Sequence, residues 1–198
     1  PRSRGLGDVY KRQASCENTV DAVSEYLHGQ EIDGYAAVNM GAIGTINHMA
    51  GGVTVTIEDD FSEIDPDLKQ GETICLTDKQ AEEFIHDRWG VADETNENRM
   101  HRQSVYMTEL KRLIKEKCQQ SSTYPLDLYE SVQDYMVTSI NKSKFSKLAL
   151  LVAKEKDEGE VSVDGTVGTD ELGYATFEPN EQSLEAAIAE LFYEEYEE

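Results

Sequence analysis

The sequence predicts an α/β fold in which a mixed sheet is sandwiched by helices in three layers. Three observations predict it. Val53-Thr-Val-Thr-Ile57 alternates apolar and polar residues with the period of a half-buried strand. Residues 77–88 and 99–120 carry apolar side chains at helical spacing, and the first of these stretches opens with the capping box Thr77-Asp-Lys-Gln80. Short links alternate strands with helices along the chain, which favours one layered α/β domain.

In chain order, residues 18–27 place Val20, Val23 and Leu27 along a short helix closed by Gly29. Tyr35-Ala-Ala-Val-Asn-Met40 reads as a short buried strand. A helix over 41–50 follows, with Ile43, Ile46 and Met49 on one side, and Gly51-Gly52 breaks it. The strand at 53–57 leads into an acidic loop, 58–67, that contains Pro66. A strand opened by Gly71 comes next, then the capped helix to Arg88, a polar loop over 89–98, and the longest helix over 99–120. Further helices are predicted over 126–137 and 144–156, the second with Phe145, Leu148, Leu151 and Val152 facing inward. Residues 159–177, rich in Gly and Val, form a loop with one short strand. Leu184, Ile188 and Leu191 mark a closing helix over 183–193.

The 198 residues carry a net charge of −22, so a nucleic-acid backbone would be repelled by most of the surface. The charge is uneven. Residues 14–84 hold only Lys69 and Lys79 as basic residues, and residues 157–198 hold none. The stretch 84–117 is close to neutral and is the least hostile surface for an anionic ligand. Cys16, Cys75 and Cys118 have no CxxC spacing, and the four histidines show no paired-ligand spacing, so no structural metal is expected. Asp59, Asp60, Glu63, Asp65 and Asp67 do not match a calcium loop and read as a solvated acidic segment. No apolar run approaches a bilayer span. Residues 1–13, basic in an acidic chain and without a period, are set aside as a non-native or disordered leader, with a basic arm as the alternative. The remainder divides into a main domain over 14–156 and an acidic extension over 157–198.

The segment that could carry chemistry runs from Phe84 to Gln103. Arg88 is the next position on the stripe formed by Ala81, Phe84 and Ile85. Arg99 continues the face of Gln103, Tyr106, Leu110, Leu113 and Ile114, and it lies at a predicted helix N-terminus, where free backbone N–H groups favour phosphate. Two planar guanidinium groups on successive helices could grip a pyrophosphate. The competing reading is structural: Arg88 complements its helix dipole, and Arg99 and Arg102 clamp Asp93, Glu94 or Glu97. Spacing leaves both open.

From Ser15 to Glu116 the order of features resembles the LytR-CpsA-Psr family. The resemblance rests on Tyr35-Ala-Ala-Val-Asn-Met40, Ala50-Gly-Gly-Val-Thr-Val-Thr-Ile57, the helix beginning Leu76-Thr-Asp-Lys-Gln-Ala81, and Arg99-Met-His-Arg-Gln103 after the loop Asp93-Glu-Thr-Asn96. Phe177-Glu-Pro-Asn-Glu181 and the residues after it resemble the closing segment of clostridial-type members. The resemblance implies an extracytoplasmic, membrane-anchored phosphotransferase. It would move a glycopolymer from a polyprenyl-pyrophosphate carrier to peptidoglycan, its other partner. Implied roles are pyrophosphate clamping for Arg88 and Arg99, orientation for Arg102 and Gln103, and a base or orienting role for Asp93. His86 stands where the family has the first arginine of an R-x-R pair. No match is visible for the family's N-terminal half, which carries the magnesium-binding aspartates and the membrane helix. The expectation is therefore an N-terminally truncated, monomeric domain, with Mg2+ belonging to the full-length family and this chain alone inactive. The alternative is a non-catalytic cell-envelope interaction module with a structural arginine–carboxylate clamp.

Overall fold

The computed structural model describes residues 6–92, 94–156, 159 and 161–193. The chain is α/β. Its helices are α1 (Leu6–Tyr26), α2 (Ile43–Ala50), α3 (Asp78–His86), α4 (Asn96–Gln120), α5 (Tyr124–Val132), α6 (Lys142–Val152) and α7 (Glu181–Phe192). Its strands are β1 (Ala36–Val38), β2 (Thr54–Thr56), β3 (Thr73–Cys75), β4 (Met136–Thr138), β5 (Gly165–Thr169) and β6 (Ala175–Pro179). Among the described residues the strands pair as three two-stranded antiparallel ladders, β1–β4, β2–β3 and β5–β6, instead of one mixed sheet. The chain itself keeps the first two ladders short. Gly52, at φ +90°, bends the backbone just before β2. Asn39 turns it into a helical segment just after β1, accepting the Gly41 N–H at 3.0 Å.

Two compact units divide the chain: Pro1–Glu17 with Asp33–Glu155, and Asn18–Ile32 with Lys156–Glu198. The first unit holds two apolar clusters. One joins Val53, Val55, Ile57, Phe61 and Leu68 to Leu76, Ala81, Phe84, Val91, Tyr106 and Leu110. Each large side chain buried there contributes about 1.5–3 kcal/mol. Phe61 and Phe84 stack at 5.7 Å between ring centroids. The other cluster gathers Cys118, Tyr124, Leu128, Val132 and Ala153, with Phe145, Ala149 and Leu150 packed on it.

The turn between α2 and β2 is fixed by Asn47, a polar side chain only 1% exposed. Its Nδ2 donates to Leu76 O at 3.0 Å and to Asp78 Oδ1 at 3.1 Å, while its Oδ1 accepts the Val53 N–H at 3.0 Å. One amide thereby ties the end of α2 to β2, to the segment after β3 and to the start of α3. Gly51 and Gly52 supply the left-handed conformations that bring Val53 N within reach. The Ala-Gly-Gly-Val run is thus a helix stop and strand start in four residues.

Several expectations are corrected. The helix expected at 18–27 begins at Leu6, inside the segment read as a leader, because a nucleated helix extends at the gain of one hydrogen bond per added residue. Tyr35–Met40 was expected to be buried, yet β1 is exposed at all three positions. Residues 126–137 are not one helix: α5 ends at Val132, a 3-10 turn follows, and Met136–Thr138 forms β4 against β1. On α6, Phe145, Ala149 and Leu150 face inward, whereas Leu148, Leu151 and Val152 are exposed. Leu191 on α7 is likewise exposed.

In the second unit, α7 buries Leu184, Ala187 and Ile188. The predicted single strand is a hairpin, β5–β6, with Val167 opposite Phe177. Asp170 closes it: its Oδ1 accepts the N–H of Leu172 at 2.9 Å and of Tyr174 at 2.8 Å, with Gly173 left-handed between them. Ser183 Oγ accepts the Asp164 N–H at 2.9 Å, which joins the start of α7 to the chain entering β5.

Candidate functional site

The candidate site is the corner where α4 meets the end of α3. The α3 helix starts with the predicted capping box, in which Thr77 Oγ1 accepts the Gln80 N–H at 3.3 Å and Gln80 Oε1 accepts the Thr77 N–H at 3.1 Å. It stops at His86, because Asp87 turns to an extended conformation. Arg88 is therefore not the next residue of the helical stripe. It follows the helix end, at the start of the loop.

The α4 helix begins at Asn96, three residues earlier than predicted, and Thr95 caps it by accepting the Asn98 N–H at 3.2 Å. Arg99 thus sits in the first turn with its own N–H directed to Thr95 O. The arginine that continues the buried face is Arg102, one and two turns before Tyr106 and Leu110. It is 4% exposed. Its Nε donates to Phe84 O at 3.0 Å, its Nη1 donates to Asp59 Oδ2 at 2.8 Å, and its Nη2 donates to Asp87 O. The Phe61 ring lies 5.2 Å beneath its guanidinium carbon. Gln103 Nε2 donates to Ile85 O at 2.9 Å. Three carbonyls that α3 leaves without helical partners at its C-terminal end are satisfied by two α4 side chains.

This docking sets where the other two arginines emerge. Arg88 is bonded to Asp87, whose carbonyl Arg102 holds, and Arg99 lies one turn before Arg102 on α4. Both are partly buried, and both have a water-shielded Nε without a hydrogen-bond partner among the described residues. Arg88 lies over the Trp89 ring, 4.3 Å from its centroid. Arg99 Nη2 donates to Asn96 Oδ1 at 2.6 Å. A partly desolvated guanidinium favours an anion, and the indole fixes the plane of Arg88.

The loop between the arginines is tightly wound. Gly90, Ala92 and Glu94 all adopt left-handed conformations, two of them without the freedom of glycine. Val91 is buried between them, the Gly90 N–H donates to Glu94 Oε1 at 2.9 Å, and the Glu94 N–H donates to Val91 O at 3.0 Å. Such strain is held where surrounding contacts over-determine it, and it clusters at ligand sites. Asp93, the candidate base, lies outside the described residues.

The structural clamp foreseen on Asp93, Glu94 or Glu97 takes a different form. The carboxylate of Arg102 is Asp59, from the loop after β2, and Glu94 serves its own loop. Asp59, read from sequence as part of a solvated acidic segment, is instead largely withdrawn from solvent against Arg102, and Phe61 and Trp89 were not singled out from sequence. The spacing of residues 102, 106 and 110 could have revealed Arg102 as the buried cation, and a buried cation requires a carboxylate such as Asp59. Other members of the acidic loop act locally. Asp60 accepts the Ser62 N–H at 2.9 Å, which holds its carboxyl below the usual range, and Asp65 accepts the Asp67 N–H and the Gln80 side chain.

A nearby cavity of about 280 Å³ is bordered by Met40, Ile43, Glu82, Glu83, His86 and Asp87. Its carboxylates would repel a pyrophosphate. Around the arginines the described residues do not fit a magnesium ion: Asp59 is engaged by Arg102, and no group of three ligating side chains converges there. No helix among the described residues is long and apolar enough to cross a membrane.

The sequence profile of the LytR_cpsA_psr family matches residues 11–192. The fold is similar to several solved structures. The Lin1025 protein from Listeria innocua shares 21% identity at a TM-score of 0.59, over 88% of this chain and 71% of that one. A protein described as a transcriptional regulator from Enterococcus faecalis shares 18% identity at a TM-score of 0.66, over 88% and 63%. TagV of B. subtilis shares 19% identity at a TM-score of 0.63, over 90% and 71%. Among curated proteins, no sequence matches the chain.

Proposed function

Because the chain belongs to the LytR-CpsA-Psr family, we propose that it forms the arginine-bearing part of a cell-wall glycopolymer phosphotransferase. The donor is a glycopolymer on a polyprenyl-pyrophosphate carrier and the acceptor is peptidoglycan, so the protein acts on the outer side of the cell membrane. What supports this reading is that Arg88 and Arg99 each carry a partly desolvated guanidinium, on the two segments that the docking of α4 on α3 joins. In phosphoryl transfer the protein contributes chiefly position and neutralisation of charge on phosphate oxygens. Arg88 and Arg99 bind the pyrophosphate. Arg102 and Gln103 are positioning residues, since their donors are spent on Asp59 and the carbonyls of α3. Asp93, which the sequence sets between the two arginines, is proposed as a base or an orienting carboxylate for the acceptor hydroxyl.

The chain has a single tryptophan, and it stacks on Arg88, so its fluorescence reports on the proposed site. Titration of the full chain with inorganic pyrophosphate and with a short-chain polyprenyl pyrophosphate is expected to give a saturable change in that signal. The change should weaken in Arg99→Ala, which leaves the indole in place. An identical titration curve for Arg99→Ala, or no saturable change at all, overturns the proposal.

A further inference from the structure

A second cluster lies in the other unit, apart from the arginine corner. His28, Glu181 and Glu185 each offer one ligating atom, and the three atoms lie within 4.8 Å of one another. Glu181 and Glu185 stand one turn apart at the start of α7, so their carboxylates leave the same face. His28 reaches them from the turn after α1, where its Nε2 is already 3.1 Å from Glu181 Oε1. That single contact leaves Glu185 as a like charge beside Glu181.

The composition of this unit favours a cation. Residues 18–32 hold three Asp and Glu and no Lys or Arg; residues 157–198 hold fourteen and none. Lys156, at the boundary, is the one basic residue of the unit. The local field is therefore strongly negative, and it favours uptake of a small multivalent cation at a point where ligands already converge.

We propose that His28, Glu181 and Glu185 form a surface site for a divalent transition-metal ion of the zinc class. The ligands are the imidazole Nε2 and one oxygen from each glutamate, with water completing the shell. The imidazole decides the class: calcium and magnesium take oxygen shells, whereas zinc accepts mixed imidazole and carboxylate ligands. Tetrahedral bonds near 2 Å place ligand atoms about 3.3 Å apart, so the trio must close by roughly 1.5 Å, within the reach of exposed side-chain rotamers. The bound ion would tie the turn after α1 to α7, two segments of one unit that are far apart in sequence. Its binding energy would then appear as added stability of that unit.

The test is calorimetric titration of the full chain, stripped with a chelator, with Zn2+ and separately with Mg2+, accompanied by thermal unfolding. One saturable zinc equivalent and a raised Tm are expected, with no comparable uptake of Mg2+. Two variants keep the fold: His28→Asn, because asparagine tolerates the left-handed backbone at φ +56°, and Glu185→Gln, which preserves side-chain shape. Each should weaken this zinc equivalent by at least about tenfold while the circular dichroism spectrum is unchanged. Zinc uptake equal in both variants and the parent chain, absence of saturable uptake, or equal binding of Mg2+ overturns the proposal. None of these outcomes touches the arginine corner.

Discussion

Arg102 Nη1 lies 2.8 Å from Asp59 Oδ2, and both side chains are largely withdrawn from solvent. Asp59 belongs to the loop after β2 and Arg102 to α4, so the pair fastens a ladder to a helix across the end of α3. The remaining guanidinium donors complete the attachment through Phe84 O and Asp87 O.

Removing the cation should be expensive. Arg102→Met is expected to lower stability by about 3–5 kcal/mol, since it strands Asp59 and two carbonyls in a poorly solvated place. Arg102→Lys should recover only part of this, because an ammonium lacks the planar fork that meets three acceptors. Guanidinium denaturation of the three proteins measures both effects. A loss below about 1 kcal/mol in Arg102→Met would show that Arg102 does not hold the corner.

The partly buried arginines should behave in the opposite way. Arg88→Ala and Arg99→Ala are expected to change stability by no more than about 0.5 kcal/mol, as surface substitutions do. Each should weaken pyrophosphate binding about tenfold or more, in line with loss of a charge-assisted pair of about 1.5–3 kcal/mol. Raising the ionic strength to 1 M should weaken binding in the parent chain. Calorimetry on the same preparations separates ligand effects from folding effects.

Gly52 has two reasons to be glycine. Its φ is +90°, and an added Cβ would stand 2.5 Å from Cys75 Sγ. Gly52→Ala is therefore expected to cost more than the ordinary penalty of about 1 kcal/mol for a left-handed alanine. Adding Cys75→Ala removes the collision but leaves the backbone strain, so the double variant should regain part of the loss and not all of it. Thermal unfolding of the two variants tests this.

Alkaline pH should unfold the chain earlier than its surface charge alone would. Burial pushes Tyr124 up to about 12, raises Tyr106 well above its ordinary value, and raises the Cys118 thiol. In the unfolded chain these groups release protons near their ordinary values, while the folded chain still holds them. Stability is thus full below those ordinary values and falls as pH rises toward the folded ones, for Tyr124 between about 10 and about 12. Tyr124→Phe removes its share of the slope while losing the 3.1 Å bond from its hydroxyl to Met49 O. A pH series of melting curves compares the two proteins.

Much of the fold was legible because local chemistry dictated it. Thr77 and Gln80 announce α3, the alternation from Val53 to Ile57 announces β2, and paired glycines announce the turn between α2 and β2. Strand β4 was hidden because Met136-Val-Thr138 continues an apolar run that suits a helix equally well, and only pairing with β1, far back in the sequence, selects the extended form. At the site, Arg88, Arg99 and Arg102 were visible as cations near apolar stripes. That Arg102 is the buried one was not, because it depends on where α3 ends, and Asp87 leaves the helix in company with a side chain from α4.

Helix α3 halts where Arg102 takes hold of the Asp87 carbonyl, and an α-helix advances about 100° per residue around its axis. One more helical residue would swing Arg88 through that angle and turn its side chain away from its present direction. A side chain on a neighbouring helix therefore sets the compass bearing of Arg88. Drift at position 102 would redirect that group without altering a single atom of it.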